Sequence, residues 1–186
     1  MSVDGLSARA DRGDGRAAFI LGAYHGSGTQ RLRGVHKDER QAAAFYKIAS
    51  DEGDAEAQYT LGVCYHTGSG VLYDESLAVA QYAMAAGQGH LEAQVSLSKA
   101  YNATDQRLAA MYCRLAAEQG DVGMMFEAAE RYKTGKGLGI NPEKAMRFYQ
   151  LAKDAGHAGA AAFLDKGHAT DFKLVPPWGI YGDVHM

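Results

Sequence analysis

A five-residue signature recurs along this chain and fixes what the chain can become. It stands at Gly13-Asp14-Gly15-Arg16-Ala17, Gly53-Asp54-Ala55-Glu56-Ala57, Gly89-His90-Leu91-Glu92-Ala93, Gly120-Asp121-Val122-Gly123-Met124 and Gly156-His157-Ala158-Gly159-Ala160. Successive leading glycines are 40, 36, 31 and 36 residues apart. Self-similarity at a period of about 20–50 residues marks repeat architectures, in which one unit cannot bury its apolar face alone and stacked neighbours complete the core.

A second register runs inside each period. Asp38, Asp74, Asp105 and Asn141 each lie 15 residues before one of the last four glycines. Alanine follows each of them at offset four (Ala42, Ala78, Ala109, Ala145) and at offset eleven (Ala49, Ala85, Ala116, Ala152). Offset eight holds Tyr46, Tyr82, Cys113 and Tyr149. These offsets share one helical face, where Ala permits close approach and Tyr fills the remaining space. Asp and Asn are strong N-caps, and Pro142 after Asn141 occupies the first helical position, where proline is tolerated. The closing glycine suits the left-handed residue just past a helix end. The spacing predicts a helix B of about 12–14 residues in each unit.

Helix A is clearest in the second unit, where apolar residues recur at Ala57, Leu61 and Tyr65, and Gly62 leaves room for a crossing partner. Gly68-Ser69-Gly70-Val71 then turns the chain toward Asp74, as Gly135-Lys136-Gly137-Leu138 does toward Asn141. Length changes fall in this A–B loop, long at Gly26–Val35 and short at Asn102-Ala103-Thr104, because loops tolerate insertions better than helices. The expected fold is all-α, a right-handed α-α superhelix of about four helix pairs. Units would span 13–52, 53–88, 89–119 and 120–155, with a capping helix inside 156–168. Residues 1–12 form a leading segment or half-unit around Leu6 and Ala10, and residues 169–186 form a tail that breaks the pattern.

The pattern from Ala57 to Gly89, Ala-x-x-x-Leu-Gly-x-x-Tyr-x-x-Gly-x-Gly-Val-x-x-Asp-x-x-x-Ala-x-x-x-Tyr-x-x-Ala-x-x-x-Gly, resembles the Sel-1-like repeat, a relative of the tetratricopeptide repeat. The likeness covers about Gly13 to Gly167. It departs at Ser98, which replaces Gly, at Ala128-Ala129, which replace Leu-Gly, and at Tyr24, one place early; these units are expected to pack less regularly. The resemblance implies an adaptor, since such proteins organise complexes in signalling, envelope regulation, quality control and bacterial encounters with hosts or competitors. Members with a disulfide inside each repeat fit poorly, because Cys64 and Cys113 are the only cysteines and lie in different units.

Charge sets further bounds. Lys and Arg number 19 against 22 Asp and Glu, and Arg31-Leu32-Arg33 is the densest basic stretch, so no nucleic-acid partner is expected. No apolar run approaches the roughly 20 residues that a membrane span requires. The start, Met1-Ser2-Val3-Asp4-Gly5, lacks a basic segment and an apolar core, which favours a cytoplasmic setting. A periplasmic one applies if a leader has been removed.

Candidate chemistry is thin. The Gly-rich loops meet neither G-x-x-x-x-G-K-[ST] nor a strand-borne G-x-G-x-x-G, and their place in the A–B turn accounts for them. His90 and His157 take the helix-start position held elsewhere by Asp54 and Asp121. The other histidines show no metal-ligand spacing, and Cys64 and His66 point different ways on one helix, so neither catalysis, cofactor nor metal is expected.

In tetratricopeptide-like arrays the A helices line the concave face. That register selects Phe19, Tyr59, Val95 and Phe126, then Val63, Lys99 and Glu130, with His66, Asn102 and Lys133 beside them, as a surface for a protein or peptide. The same aromatics could serve as core between repeats, and the residues alone leave both readings open. The tail holds Phe172, Trp178 and Tyr181, which either cap the last unit or contact a partner or a second copy. The function expected is a non-catalytic scaffold, monomeric or weakly dimeric. The alternative is an immunity protein or inhibitor that neutralises an enzyme or toxin by direct binding, through an edge, the unit-one loop or the tail.

Overall fold

The structure is a computed structural model that describes residues 3–27 and 37–166. Among these residues the chain forms ten helices and no strand. They are α1 (Val3–Ala10), α2 (Gly15–Ser27), α3 (Glu39–Asp51), α4 (Ala55–Thr67), α5 (Glu75–Gly87), α6 (Leu91–Tyr101), α7 (Gln106–Glu118), α8 (Val122–Thr134), α9 (Pro142–Asp154) and α10 (Ala158–Asp165). The pairs α2–α3, α4–α5, α6–α7 and α8–α9 are the A–B hairpins of four units, and each packs on the next to form a helical solenoid. The helix α1 stands where a preceding B helix would, with Leu6 and Ala10 buried against Ala17, Ala18 and Leu21. At the other end α10 packs on α9 as a lone A helix.

Local chemistry sets the helix ends. Asp38, Asp74, Asp105 and Asn141 cap 13-residue B helices, their side chains accepting from backbone N–H groups of the first turn. Gly53, Gly89, Gly120 and Gly156 have φ of 90°, 88°, 104° and 91°, a region that side chains with a Cβ enter at a cost. Asp54, His90, Asp121 and His157 then cap the next A helix. The histidines do this through Nδ1, which accepts from Ala93 N–H at 3.3 Å and from Ala160 N–H at 3.2 Å.

Within each hairpin the A helix crosses its partner at the small-residue position. A Cβ on Gly22 or Gly62 would fall 2.6 Å from the Tyr46 ring or 2.7 Å from the Tyr82 ring. The departures in the later units are compensated in volume. Ser98 replaces the glycine where Cys113 replaces the tyrosine, and its hydroxyl donates to the Ala109 carbonyl at 3.0 Å. Ala128, Ala129 and Tyr149 have no exposed surface, so units three and four close as tightly as the regular ones. Leu21, Leu61 and Leu97 are equally enclosed, each contributing about 1.5–3 kcal/mol from burial.

The A–B loops tie neighbouring units together. Gly137 (φ 76°) lies against the first residue of α7, so closely that a Cβ would sit 1.9 Å from the Gln106 carbonyl oxygen. At Gly70 (φ 74°) an added Cβ would sit 1.9 Å from the Glu39 carbonyl oxygen of α3. Both loops are structural turns. Each approaches a backbone so closely that only glycine fits.

Candidate protein-interaction face

The sequence-selected residues fall along the A-helix side of the solenoid, and the structure divides them into rings that join units and groups left at the surface. Phe19 packs on Tyr46 with ring centroids 5.7 Å apart. Tyr59 tilts against Tyr82 at 5.7 Å and stacks on His90 of the following unit at 4.7 Å. Phe126 repeats this, edge-on to Tyr149 at 5.8 Å and stacked on His157 at 4.4 Å. Tyr59 and Phe126 are thus half-buried seams between helix B of their own unit and the cap of the next, while Phe19, also half-buried, packs on helix B of its own unit. Such pairs add about 0.5–1.5 kcal/mol beyond area burial. Val63 joins the same cluster as Tyr59, and Val95 is likewise half-buried.

His66 and Lys99, from neighbouring units, meet on the rim of one cleft of about 290 Å³ between α4, α5 and α6. Glu75, Tyr82, Ser96 and Ala100 complete its lining. His66 Nδ1 lies 2.8 Å from Glu75 Oε2, an exposed pair. At the floor, burial pushes the Tyr82 hydroxyl up to about 12, so it remains a neutral donor at ordinary pH. The cleft thus presents a neutral hydroxyl and an exposed ammonium within reach of a peptide's carbonyls and carboxylates.

Unit four commits its selected groups internally. Lys133 Nζ pairs with Glu130 at 3.2 Å and lies 4.7 Å above the Phe163 ring. Tyr149 donates its hydroxyl hydrogen bond to Glu130, and burial together with that carboxylate holds the phenol well above its usual pKa. Asn102 is engaged as well, because its side-chain oxygen accepts from Arg131 Nη2 at 2.8 Å.

Arg131 is the main residue that sequence reasoning missed. It is 2% exposed and also reaches the Gln106 side-chain oxygen at 3.3 Å, the Lys136 carbonyl at 3.4 Å and Glu127 at 3.1 Å. It occupies the register position of Cys64 and Ala100, and it reaches the A–B loop that is shortest in unit three. The signal was the coincidence of a shortened loop with a long side chain one unit later. A second missed device is a pair of glutamine clamps. Gln88 Nε2 donates to Gln58 Oε1 and Gln119 Nε2 to Gln94 Oε1, both at 2.8 Å, and each continues to the carbonyl of a unit's leading glycine. Their matched positions in the repeat were the available signal.

Both thiols are buried and free, with no disulfide. Burial raises the Cys64 thiol and pushes that of Cys113 up to about 12. Neither has the lowered pKa that a nucleophilic cysteine requires. Among the described residues no group of three or more His, Cys, Asp or Glu side chains could hold a metal ion, and no helix is long and apolar enough to cross a membrane. The loop stretch 28–36 and the tail residues Phe172, Trp178 and Tyr181 lie outside the described residues.

Comparison with known proteins follows the same divisions. The family model described as Sel1 repeat matches residues 15–54, 55–90, 92–121 and 123–157. The fold superposes on a Sel1 repeat protein from Oxalobacter formigenes with a TM-score of 0.76 and 27% identity, covering 88% of this chain and 48% of that one. It superposes on a protective antigen with an SLR fold, present in uropathogenic Escherichia coli strains, with a TM-score of 0.78 and 27% identity, covering 92% of this chain and 37% of that one. The chain therefore spans less than half the length of either protein. An immunity protein from Pseudomonas aeruginosa superposes more loosely, with a TM-score of 0.48 and 24% identity over 92% of this chain and 64% of that one. No curated protein matches the chain. Sel1 repeat proteins are generally non-catalytic scaffolds for protein interaction. With four consecutive matches covering most of its length, this chain belongs to the Sel1 repeat family.

Proposed function

We propose that this chain is a non-catalytic scaffold that holds a protein or peptide partner on its concave, A-helix face. The observation that carries the reading is the cleft where His66, Glu75, Tyr82 and Lys99 converge from two units, because it joins an aromatic floor to exposed charges at a repeat junction. Peptide-binding grooves work in this way, with apolar contact supplying area and a few polar groups fixing register. Buried, protonated thiols support the non-catalytic part of the reading.

Tyr59 and Phe126 are poor test positions, since truncating either ring also opens an inter-unit stack. Lys99 and His66 are exposed and serve better. Affinity capture from the native host's lysate is expected to recover a partner with the wild type, and about tenfold less with a Lys99→Glu/His66→Ala variant of unchanged melting temperature. Equal recovery with both proteins would move the interface off this face and refute the proposal.

A further inference from the structure

The B-helix side carries a second cleft with a different chemistry. It lies between α7 and α9, over α8, and encloses about 470 Å³. Met125, Tyr132, Phe148 and Leu151 give it an apolar floor and wall, with the Tyr132 and Phe148 rings stacked 5.9 Å apart. Three cations stand at its rim, Arg114, Lys144 and Arg147, against a single carboxylate, Glu118. Glu118 is spent on Arg114 at 2.7 Å, and Lys144 Nζ lies 5.4 Å from the Tyr132 ring centroid.

The repeat supplies its own controls. One unit earlier, between α5 and α7, the positions of Arg114, Lys144 and Arg147 are Ala83, Leu108 and Met111, with no cation at all. A unit before that they are Lys47, Leu77 and Ala80, and Lys47 is neutralised by Asp51 at 2.8 Å. The floor differs as well. Gln58 and Gln94 occupy the position of Met125, each closed by a glutamine clamp, whereas in unit four Met125 and Ala155 replace both partners. Unit one, with Ala18 and Glu52 in these places, lacks the clamp as well, so it is the gain of three cations over an apolar floor that sets this junction apart. Helix packing does not require the cations, because the other junctions close without such a cluster.

We infer that this cleft is a docking site for an acidic linear segment of a partner protein, one whose apolar side chain is flanked by carboxylates. The apolar residue would lie on Met125, Tyr132 and Leu151, a methionine-bearing surface that adapts to varied side chains. The flanking carboxylates would meet Lys144 and Arg147, with Arg114 exchanging its Glu118 partner for the ligand. This surface is separate from the A-helix cleft, and its occupancy does not depend on that reading.

The test uses the full chain and a short fluorescent peptide with one Phe between pairs of glutamates. Wild type is expected to bind with an affinity that falls as salt rises, and to shift the Met125 methyl resonance. Exchanging the glutamates for glutamines, or the Phe for Ala, should each weaken binding about tenfold or more, as should a Lys144→Glu/Arg147→Glu variant of unchanged melting temperature. Lys99→Glu/His66→Ala should bind the peptide as the wild type does. Absence of binding at millimolar peptide, equal binding by the charge-reversed variant, or loss confined to Lys99→Glu/His66→Ala would overturn the assignment. So would displacement of the peptide by a single-stranded oligonucleotide or by vesicles of anionic lipid at lower concentrations than the peptide itself requires.

Discussion

Two glycines share a backbone conformation and differ in what lies beside them, which separates two costs that are usually confounded. Gly89 has φ 88° with no heavy atom within 4 Å of an added Cβ, while Gly137 has φ 76° with the Gln106 carbonyl oxygen 1.9 Å from that point. Gly89→Ala therefore incurs only the left-handed penalty of about 1–2 kcal/mol. Gly137→Ala incurs the same penalty and must also displace backbone. To reach even 3.0 Å from that oxygen the loop must retreat by about 1.1 Å, and the Ala110 Cβ, 2.9 Å away, is crowded on the same side. Retreat unpacks the α8–α9 loop from α7, so the total is expected near 3–5 kcal/mol, the scale of a disrupted core contact. Guanidinium unfolding followed by circular dichroism measures both variants. Amide exchange should show weakened protection concentrated in α8–α10 for Gly137→Ala, as expected of a solenoid whose units couple only to neighbours. Equal destabilisation of the two variants would refute the claim that loop-to-helix contact, and not φ alone, requires glycine at 137.

Three further outcomes follow from other contacts. Asn102→Ala strips an acceptor from the buried Arg131 and should cost about 1–3 kcal/mol, while the same change in an Arg131→Met background should cost little; a denaturation cycle showing independent effects would contradict the pairing. His157→Ala removes both a cap and a stack on Phe126, for about 1.5–2 kcal/mol, whereas His157→Asp restores the cap and should recover roughly half; equal melting of the two variants would mean the cap contributes nothing. The Cys113 thiol titrates near 12 when folded against 9.0 in the open chain, so the folded state retains a proton that the unfolded state releases. Its stabilising effect is complete below pH 9 and is lost as pH rises toward 12, and Tyr82, raised from 10.0 to about 12, adds to the loss above pH 10. Unfolding titrations across that range, made in a Cys64→Ala background because burial raises that thiol as well, should show a shallower decline once Cys113→Ala is added, and an identical decline would exclude this linkage.

The helices and their ends were legible because local rules and the repeat pointed the same way. An Asp or Asn cap, an Ala-Tyr-Ala stripe and a closing glycine each specify one feature by short-range chemistry, and every one recurs in the structure. What escaped was non-local. Arg131 reads as an ordinary surface arginine of an A helix until the shortened unit-three loop opens space for its guanidinium. The aromatic seams were only half legible. The register put Phe19, Tyr59 and Phe126 on the A-helix side, but whether a ring faces solvent or the next unit depends on what that unit offers, and His90 and His157 offer a flat ring. Glu75 and Tyr82 reach the A-helix cleft from a B helix, which a register built on A helices alone does not select.

A regular solenoid spends most of its residues on repetition, so its informative positions are those where repetition fails without a structural need. Two failures in units three and four have a packing reason: Ser98 is matched to Cys113, and Arg131 fills the place of a missing loop. Each disappears as an anomaly once its neighbour is named. The substitutions at Arg114, Met125, Lys144 and Arg147 behave differently, since Glu118 answers one cation only and Arg147 stands exposed over an open cleft. Exposed like charges close together oppose folding slightly and are offset only when something of opposite charge arrives. Because each unit contacts only its neighbours, such a cluster can be built at one junction without disturbing the rest. The expectation is therefore that Lys144→Glu/Arg147→Glu leaves stability unchanged or slightly raised while removing the site. A large loss of stability in that variant would show the cations to be structural.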